Sequence, residues 1–261
     1  MQERDSNSSA LLYRGDDKEL AIAAADHLME VLEEFADEEY IVLGCCGGNS
    51  PIALYECLAQ ELSKKGDEVL GKLQVFFVDE RVVTQFQIDS GEAQSMLNST
   101  TVREALIDPL LQHGVFTEEQ FHKFPQDNTE DIKQRVQSYY AKLREYGGRF
   151  NAVVLGVGYD GHVAGAFPFP HITSEDEETQ GFVSYVGAPK PPPKRITATI
   201  GLLAASDFGL VMFQGEKKQE ALESFAKTDS TREIPACVVK RMARHLVATN
   251  IDCEATKALL A

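Results

Sequence analysis

Apolar runs and amphipathic stretches alternate along the chain. Residues 17–37 carry apolar side chains at helical spacing, and "EYIVLGCC" (39–46) is a short apolar run that ends in glycines. Helical spacing returns in "GGNSPIALYECLAQEL" (47–62), where Ser50 can cap a helix and Pro51 can occupy its first position. The pattern therefore predicts a helix, then a strand, a glycine-rich turn and a second helix.

The same alternation continues to the end of the chain. It predicts strands at 72–81, 149–158, 182–186, 207–215 and 244–250, and a strand that starts near Lys194 after a proline run. It predicts helices at 93–106, 129–147, 216–227 and the C-terminus. Strands that alternate with helices are typical of parallel βαβ units. We therefore expect an α/β fold, a Rossmann-like, mostly parallel sheet with helices on both faces. Because no long linker or repeat divides the sequence, we expect a single domain over 1–261, with residues 1–10 frayed.

Composition narrows the functional classes. The chain has 261 residues, of which 43% are apolar and 25% charged, as in ordinary globular proteins. A formal net charge of −16 argues against binding to nucleic acid or to an anionic membrane surface, since both require a positive field.

No apolar run approaches the ~18 residues of a membrane span. Five cysteines without a C-x-x-C pattern fit a reducing compartment, and no secretory signal is visible. We expect a cytoplasmic protein, as a monomer or alternatively a dimer.

Four stretches follow predicted strands, where ligands bind in parallel sheets. In "GCCGGNSP" (44–51), the amides of Gly47, Gly48, Asn49 and Ser50 lie at a predicted helix start, which is a ready site for an anion. The alternative is a tight turn whose glycines serve packing alone. A dinucleotide site is not favoured, because G-x-G-x-x-G is absent.

Charged residues mark two of these stretches, 76–81 and 215–218, and also the proline-rich stretch 191–197. "FFVDER" (76–81) places Asp79 and Arg81 after a buried strand, where Arg81 could face an anion or an oxyanion. "PPPKRIT" (191–197) holds Arg195 after a stiff proline run, and "GEKK" (215–218) puts Lys218 in a first helical turn, where a cation opposes the helix dipole. The alternative is a set of solvated charges or local ion pairs.

The most informative stretch is "GVGYDGHVAG" (156–165). It places His162 beside Asp160 among four glycines, and histidine is the side chain best suited to proton transfer near pH 7. The alternative is a histidine that only stabilises the turn. A thiol nucleophile at Cys45 or Cys46 is less favoured than two small apolar residues at a strand end. No metal-binding spacing is present, so no metal is expected.

In this order, "GGNSP", "FFVDERVV", "LGVGYDGHVAGAFP", "PPPKRITATI" and "GEKK" resemble the glucosamine-6-phosphate isomerase/6-phosphogluconolactonase family, over residues 10–250. The deaminase branch of that family would carry aspartate-glutamate-tyrosine in place of "DER". It would also carry asparagine-glutamate-proline where this chain has Ala166-Phe167-Pro168. Both differences favour the lactonase branch.

The resemblance implies hydrolysis of 6-phospho-D-glucono-1,5-lactone to 6-phosphogluconate in the oxidative pentose phosphate pathway, with a sugar phosphate lactone as the partner and no cofactor. It implies that His162 is the general base, that Asp160 fixes it and that Arg81 lies near the lactone carbonyl. The phosphate and sugar contacts that it implies are Gly47, Gly48, Asn49, Ser50, Asp79, Arg195 and Lys218.

Three departures from the family pattern concern loops. Thr84 replaces a usual proline, Ser90-Gly91 stands where serine-asparagine is usual, and Gly165-Ala166 stands where serine-leucine is usual. No loop residue beyond Arg81 is therefore assigned. Three alternative functions stay open at this point: a sugar-phosphate isomerase or deaminase, a non-catalytic sugar-phosphate sensor, and a cysteine hydrolase.

Overall fold

A seven-stranded parallel sheet forms the centre of the molecule. The computed structural model describes residues 8–65, 67–126, 131–171, 179–189 and 191–260. The strands of this sheet are β1 (Ser8–Tyr13), β2 (Ile41–Cys45), β3 (Leu73–Phe77), β5 (Phe121–His122), β6 (Ala152–Gly156), β9 (Phe208–Phe213) and β10 (Arg244–Thr249). Their order is β1-β10-β9-β6-β2-β3-β5, and all six neighbouring pairs are parallel. Every residue of β2, β3 and β9 is buried, as expected for a sheet covered on both faces. The predicted α/β fold is confirmed.

A second, three-stranded antiparallel sheet was not predicted. It consists of β4 (Asp79–Arg81), β7 (Phe182–Val186) and β8 (Lys194–Ala198), in the order β4-β8-β7. The prediction of one strand over 72–81 is therefore wrong. Val78 separates β3 from β4: its N–H donates to Cys45 O at 3.0 Å, whereas its carbonyl accepts from Ala198 N–H at 2.6 Å. The chain thus changes partner at one residue, and β4 leaves the large sheet to pair with β8.

The described helices are α1 (Asp17–Glu33), α2 (Ile52–Lys65), α3 (Asp67–Leu70), α4 (Gln85–Asp89), α5 (Glu92–Met96), α6 (Asn98–Val102), α7 (Asp108–His113), α8 (Ile132–Arg144), α9 (Ile200–Ala204), α10 (Gln219–Lys227) and α11 (Glu254–Leu260). A π-helical turn covers Arg103–Ile107, and 3₁₀ turns cover Glu118–Gln120, Glu216–Lys218 and Pro235–Arg241. Within the residues described, no helix is both long and apolar enough to cross a bilayer.

The helix expected over 93–106 is broken. Leu97 between α5 and α6 is extended, with φ −80° and ψ 135°. The next two N–H groups, of Asn98 and Ser99, donate to the Glu80 carboxylate at 2.8 and 2.9 Å. A carboxylate from another segment therefore starts a new helix here. The preceding loop contains α4, which Thr84 caps by exchanging hydrogen bonds with Gln87.

The N-terminal boundary also differs from the expectation. Residues 1–10 were expected to be frayed, yet β1 begins at Ser8 and pairs with β10 in parallel register, Ala10 opposite Leu246. Backbone pairing along the edge of the sheet holds these residues. Residues 1–7 lie outside the described residues, as do Thr129 and Glu130 of the helix expected over 129–147.

The strand order reverses between β2 and β6. From β2 the sheet continues through β3 and β5 on one side, and through β6, β9 and β10 on the other. Loops from such neighbours leave in opposite directions and open a crevice at the carboxyl ends of the strands. The fold thus places the loops after β2 and β6 on either side of one crevice.

Candidate active site

A cavity of about 280 Å³ lies at this crevice. Nine of the ten predicted site residues line it. They are Gly47, Gly48, Asn49, Ser50, Asp79, Arg81, His162, Arg195 and Lys218. The tenth, Asp160, contacts His162 from behind. Residues from five separate segments therefore meet in one place.

His162 and Asp160 form a close pair in the turn that follows β6. His162 Nδ1 hydrogen-bonds Asp160 Oδ1, and the backbone N–H of His162 lies 3.4 Å from the same oxygen. The turn is closed by two backbone bonds, Gly158 N–H to His162 O at 2.8 Å and Gly161 N–H to Gly158 O at 3.0 Å. A side chain at Gly158 would overlap both the imidazole and the carboxylate. The glycine therefore leaves room for the pair.

Phe167 fixes the plane of the imidazole from the other side. Its ring is stacked on that of His162, with centroids 4.5 Å apart and planes 24° apart. The Phe167 side chain is buried, while the His162 side chain keeps 17% of its surface exposed. The imidazole is thus held between a carboxylate and an aromatic ring and still reaches the cavity.

The glycine-rich loop after β2 forms the opposite wall. Gly47 to Ser50 lead into α2, a helix of 14 residues, and Gly48 has a φ of +89° that favours glycine. Backbone amides at the start of a helix carry partial positive charge and favour an anion. The loop therefore has the composition and position of a phosphate cradle.

Three cations line the cavity in a chain of strongly negative net charge. Arg81 and Arg195 lie directly opposite each other in the β4–β8 register. Arg195 is buried and donates to the carbonyls of Pro192 at 3.1 Å and Pro191 at 3.3 Å. Lys218 donates through Nζ to Val157 O, which joins the loop after β9 to the loop after β6. Together they supply the local positive charge that an anionic ligand requires here.

Two buried carboxyl groups lie beneath these cations. Burial raises the pKa of Asp79, and the neighbouring Arg195 and Arg81 partly offset the rise. Burial raises the pKa of Glu80 to about 7, although backbone N–H groups of Asn98, Arg81 and Ser99 favour its ionised form. Asp79 lines the cavity, whereas Glu80 faces the backbone.

Asn98 lines the cavity and was not predicted. In the sequence, Ser90-Gly91 stands where serine-asparagine is usual, and no loop residue beyond Arg81 was assigned. The structure brings an asparagine to the site from the start of α6, seven residues later than Gly91. The sequence does contain an asparagine in the "NS" pair at 98–99. Because the preceding loop is long, this pair does not lie where the family pattern expects serine-asparagine.

Cys46 also lines the cavity, but its surroundings keep it protonated. Its Sγ accepts the N–H of Gly156 at 3.1 Å, and burial raises its pKa to about 12. Since the thiolate is the nucleophile, the geometry does not support a cysteine hydrolase. In the part of the chain that the structure describes, no three His, Cys, Asp or Glu side chains group to hold a metal ion.

This chain is similar in sequence to proteins of known family. Residues 15–248 match the family described as glucosamine-6-phosphate isomerases/6-phosphogluconolactonase. A 6-phosphogluconolactonase of Borreliella burgdorferi is 28% identical over 216 residues, which cover 82% of this chain and 85% of that protein.

Two solved structures show the same fold. A 6-phosphogluconolactonase from Thermotoga maritima has a TM-score of 0.72 at 22% identity, covering 93% of this chain and 99% of that one. A monomeric glucosamine-6-phosphate deaminase has a TM-score of 0.73 at 17% identity, covering 96% and 99%. The fold alone therefore does not separate the two activities.

Proposed function

Since this chain belongs to the glucosamine-6-phosphate isomerase/6-phosphogluconolactonase family, we propose that it hydrolyses 6-phospho-D-glucono-1,5-lactone to 6-phosphogluconate, a step of the oxidative pentose phosphate pathway. The observation that carries the proposal is the meeting of a His–Asp pair, a glycine-rich anion cradle and three cations in one cavity. A lactone is an activated ester, so a positioned base, an oxyanion donor and a phosphate clamp suffice for its hydrolysis.

His162 is the proposed general base. With Nδ1–H donated to Asp160, the lone pair of the neutral imidazole lies on Nε2. Nε2 takes a proton from water as the water oxygen attacks C1 of the lactone. Asp160 then stabilises the imidazolium that forms. General-base assistance of this kind contributes roughly 10²- to 10⁴-fold in rate.

The remaining steps return the proton. Attack on C1 places negative charge on the carbonyl oxygen, and Arg81 is the proposed donor to this oxyanion, a contribution of about 10²- to 10³-fold. When the tetrahedral intermediate collapses, the bond from C1 to the ring oxygen breaks. The ring oxygen takes the proton from the His162 imidazolium and becomes a hydroxyl. The products are the carboxylic acid and the regenerated base, and the acid loses its proton to solvent to give 6-phosphogluconate.

The phosphate is the proposed anchor of the substrate. The cradle from Gly47 to Ser50, with Lys218 and Arg195, would bind it at a distance from C1. Binding energy at such a remote group fixes the reacting carbon in front of the base.

The alternative is a deaminase or isomerase acting on glucosamine 6-phosphate, because that activity uses the same fold. The residue stacked on His162 favours the lactonase. It is the apolar Phe167, at the position where the resemblance expects a glutamate in the deaminase branch. Among the described residues, the carboxylate that hydrogen-bonds the imidazole is that of Asp160.

The test compares wild type with His162→Ala on freshly generated lactone, after subtraction of spontaneous hydrolysis. We expect the enzymatic rate to fall by about 10²-fold or more. His113→Ala is the matched control, because His113 lies in α7 and does not line the cavity. It should keep the wild-type rate.

Three results would contradict parts of the proposal. A wild-type rate equal to the background would overturn the lactonase and favour a sensor. Ammonia release from glucosamine 6-phosphate would favour the deaminase. Equal rates for wild type and His162→Ala would leave lactone hydrolysis standing but exclude His162 as its base.

A further inference from the structure

The side chain of Asn98 joins three segments of the cavity wall. Its Oδ1 accepts a hydrogen bond from Arg81 Nη1 at 2.6 Å, and its Nδ2 donates to the Asp79 carbonyl at 2.9 Å. A side chain at Gly47 would overlap the Asn98 amide, so the cradle packs directly against it. One buried amide at the start of α6 therefore contacts the β4 backbone, the Arg81 guanidinium of the same strand and the glycine-rich loop.

The backbone of Asn98 is fixed in turn by Glu80. Glu80 Oε1 accepts the N–H of Asn98 and that of Arg81, both at 2.8 Å, and Oε2 accepts the N–H of Ser99 at 2.9 Å. The Glu80 side chain is almost fully buried. Three donors on one buried carboxylate define the position of the α6 start relative to β4.

We propose that Asn98 is a positioning residue of this site, which holds the Arg81 guanidinium in one arrangement at the cavity wall and is itself held by the Glu80 carboxylate. The role of Arg81 at the lactone carbonyl rests on the proposed function. The positioning of Arg81 by Asn98 rests on the contacts alone.

The chemistry of the amide explains why asparagine suits this position. An arginine offers only donors and a backbone carbonyl offers only acceptors, so the residue between them must accept at one atom and donate at another. Asparagine does both at once. Aspartate at position 98 would keep the acceptor for Arg81 but would place an oxygen against the Asp79 carbonyl. Alanine would lose both hydrogen bonds.

A double-mutant cycle tests the proposal. We expect Asn98→Ala to lower kcat/KM for the lactone by roughly 10- to 100-fold, as for loss of a hydrogen bond to a charged group. If Asn98 acts through Arg81, the variant with both Arg81→Ala and Asn98→Ala should be no slower than Arg81→Ala alone. If the two single-variant losses of kcat/KM multiply in the double variant, the proposal is overturned, because Asn98 would then act independently of Arg81.

Asn151→Ala supplies the matched control. Asn151 is also a buried asparagine, and its Oδ1 accepts Val42 N–H at 2.8 Å, but it lies at the amino ends of β2 and β6, away from the cavity. Its substitution should lower stability without changing kcat/KM. This control separates a general loss of stability in Asn98→Ala from a loss of positioning. If the alanine variant does not fold, Asn98→Asp serves as the second variant.

A crystal structure of the Asn98 variant gives a readout that does not depend on turnover. Displacement of the Arg81 guanidinium from its wild-type position supports the proposal, and an unchanged guanidinium overturns it. If wild type shows no lactonase activity, the proposed function fails, and this structural comparison still decides whether Asn98 positions Arg81.

Discussion

Gly158 shows how a single missing side chain shapes the chemistry of the site. An added methyl group at this position would overlap His162 Nδ1 and Asp160 Oδ1. The turn can therefore bring the imidazole back against its own backbone only when residue 158 has no Cβ. Residue 158 must therefore lack a side chain to leave space for the His162–Asp160 pair.

Gly158→Ala should separate His162 from Asp160. We expect the lactonase rate to fall by about 10²-fold, close to the effect of His162→Ala, because the base loses the partner that sets its orientation. Overpacking should also lower the free energy of unfolding by about 1–3 kcal/mol. Steady-state rates and urea unfolding of the purified variant measure the two effects.

Gly71→Ala is the control for this prediction. The nearest heavy atom to a Cβ at Gly71 is Asp67 O at 3.4 Å, an ordinary contact, and the residue lies outside the cavity. It should keep the wild-type rate. A fully active Gly158→Ala variant would show that the His–Asp contact is not needed for hydrolysis.

The place of a residue at the cavity could be predicted where a short sequence pattern marks it. His162, Asp160 and the cradle from Gly47 to Ser50 each lie in a short glycine-rich stretch directly after an apolar run. Asn98 was not predictable in this way, because its neighbours in sequence are ordinary helix and loop residues. Its proposed role is argued from contacts with Arg81 and Gly47, which lie 17 and 51 positions away.

At the scale of elements, the strand that supplies Asp79 and Arg81 depends on a change of partner. The apolar residues within 72–81 predict one strand, but they do not show that Val78 hydrogen-bonds to both sheets. The antiparallel pairing of β4 with β8 places Arg81 opposite Arg195. Pairing between segments more than 100 residues apart leaves no local signal, so the pairing of β4 with β8 escaped prediction.

The start of α6 should respond to pH through Glu80. The folded-state pKa of Glu80 is raised from its usual 4.5 to about 7 by burial. A carboxyl group with a raised folded pKa adds stability below its unfolded pKa, and this contribution is lost as the pH rises toward 7. We therefore expect this group to stabilise the fold less at pH 8 than at pH 5, by up to roughly 3 kcal/mol.

Glu80→Gln isolates this effect because glutamine does not titrate. The free energy of unfolding of wild type minus that of Glu80→Gln, measured by urea unfolding from pH 5 to pH 8, should decrease as the pH rises. A difference that stays constant across this range would show that Glu80 has the same proton affinity in the folded and unfolded states.

At the scale of the whole molecule, the order of the strands determines which loops meet at the candidate site. The alternation of helices and strands was readable from the sequence, because burial on both faces gives β2, β3 and β9 nearly continuous apolar runs. The strand order was not readable, since it depends on which strands meet across the sheet. That order puts the loops after β2 and β6 on either side of one crevice, so the cradle faces the His–Asp pair.

The charge of the molecule opposes the approach of its proposed substrate. The net charge of −16 repels a phosphorylated sugar at long range, while Lys218 and two arginines attract it within the cavity. Salt screens the distant charges more than the near ones, because the Debye length shrinks from about 30 Å at 0.01 M to about 8 Å at 0.15 M. We therefore expect KM for the lactone to fall, by up to about tenfold, as NaCl is raised over this range.

Two lysine variants separate the local charge from the global one. Lys217→Gln and Lys218→Gln change the net charge equally, but Lys217 is exposed and only Lys218 lines the cavity. Lys218→Gln should raise KM by roughly tenfold at every salt concentration, as for loss of a charged hydrogen bond to phosphate, and Lys217→Gln should change it little. A KM that rises with NaCl in wild type would mean that the cavity cations, rather than the net charge, set the field that the substrate meets on approach. Equal effects of the two variants would mean that Lys218 acts through net charge and does not bind the phosphate.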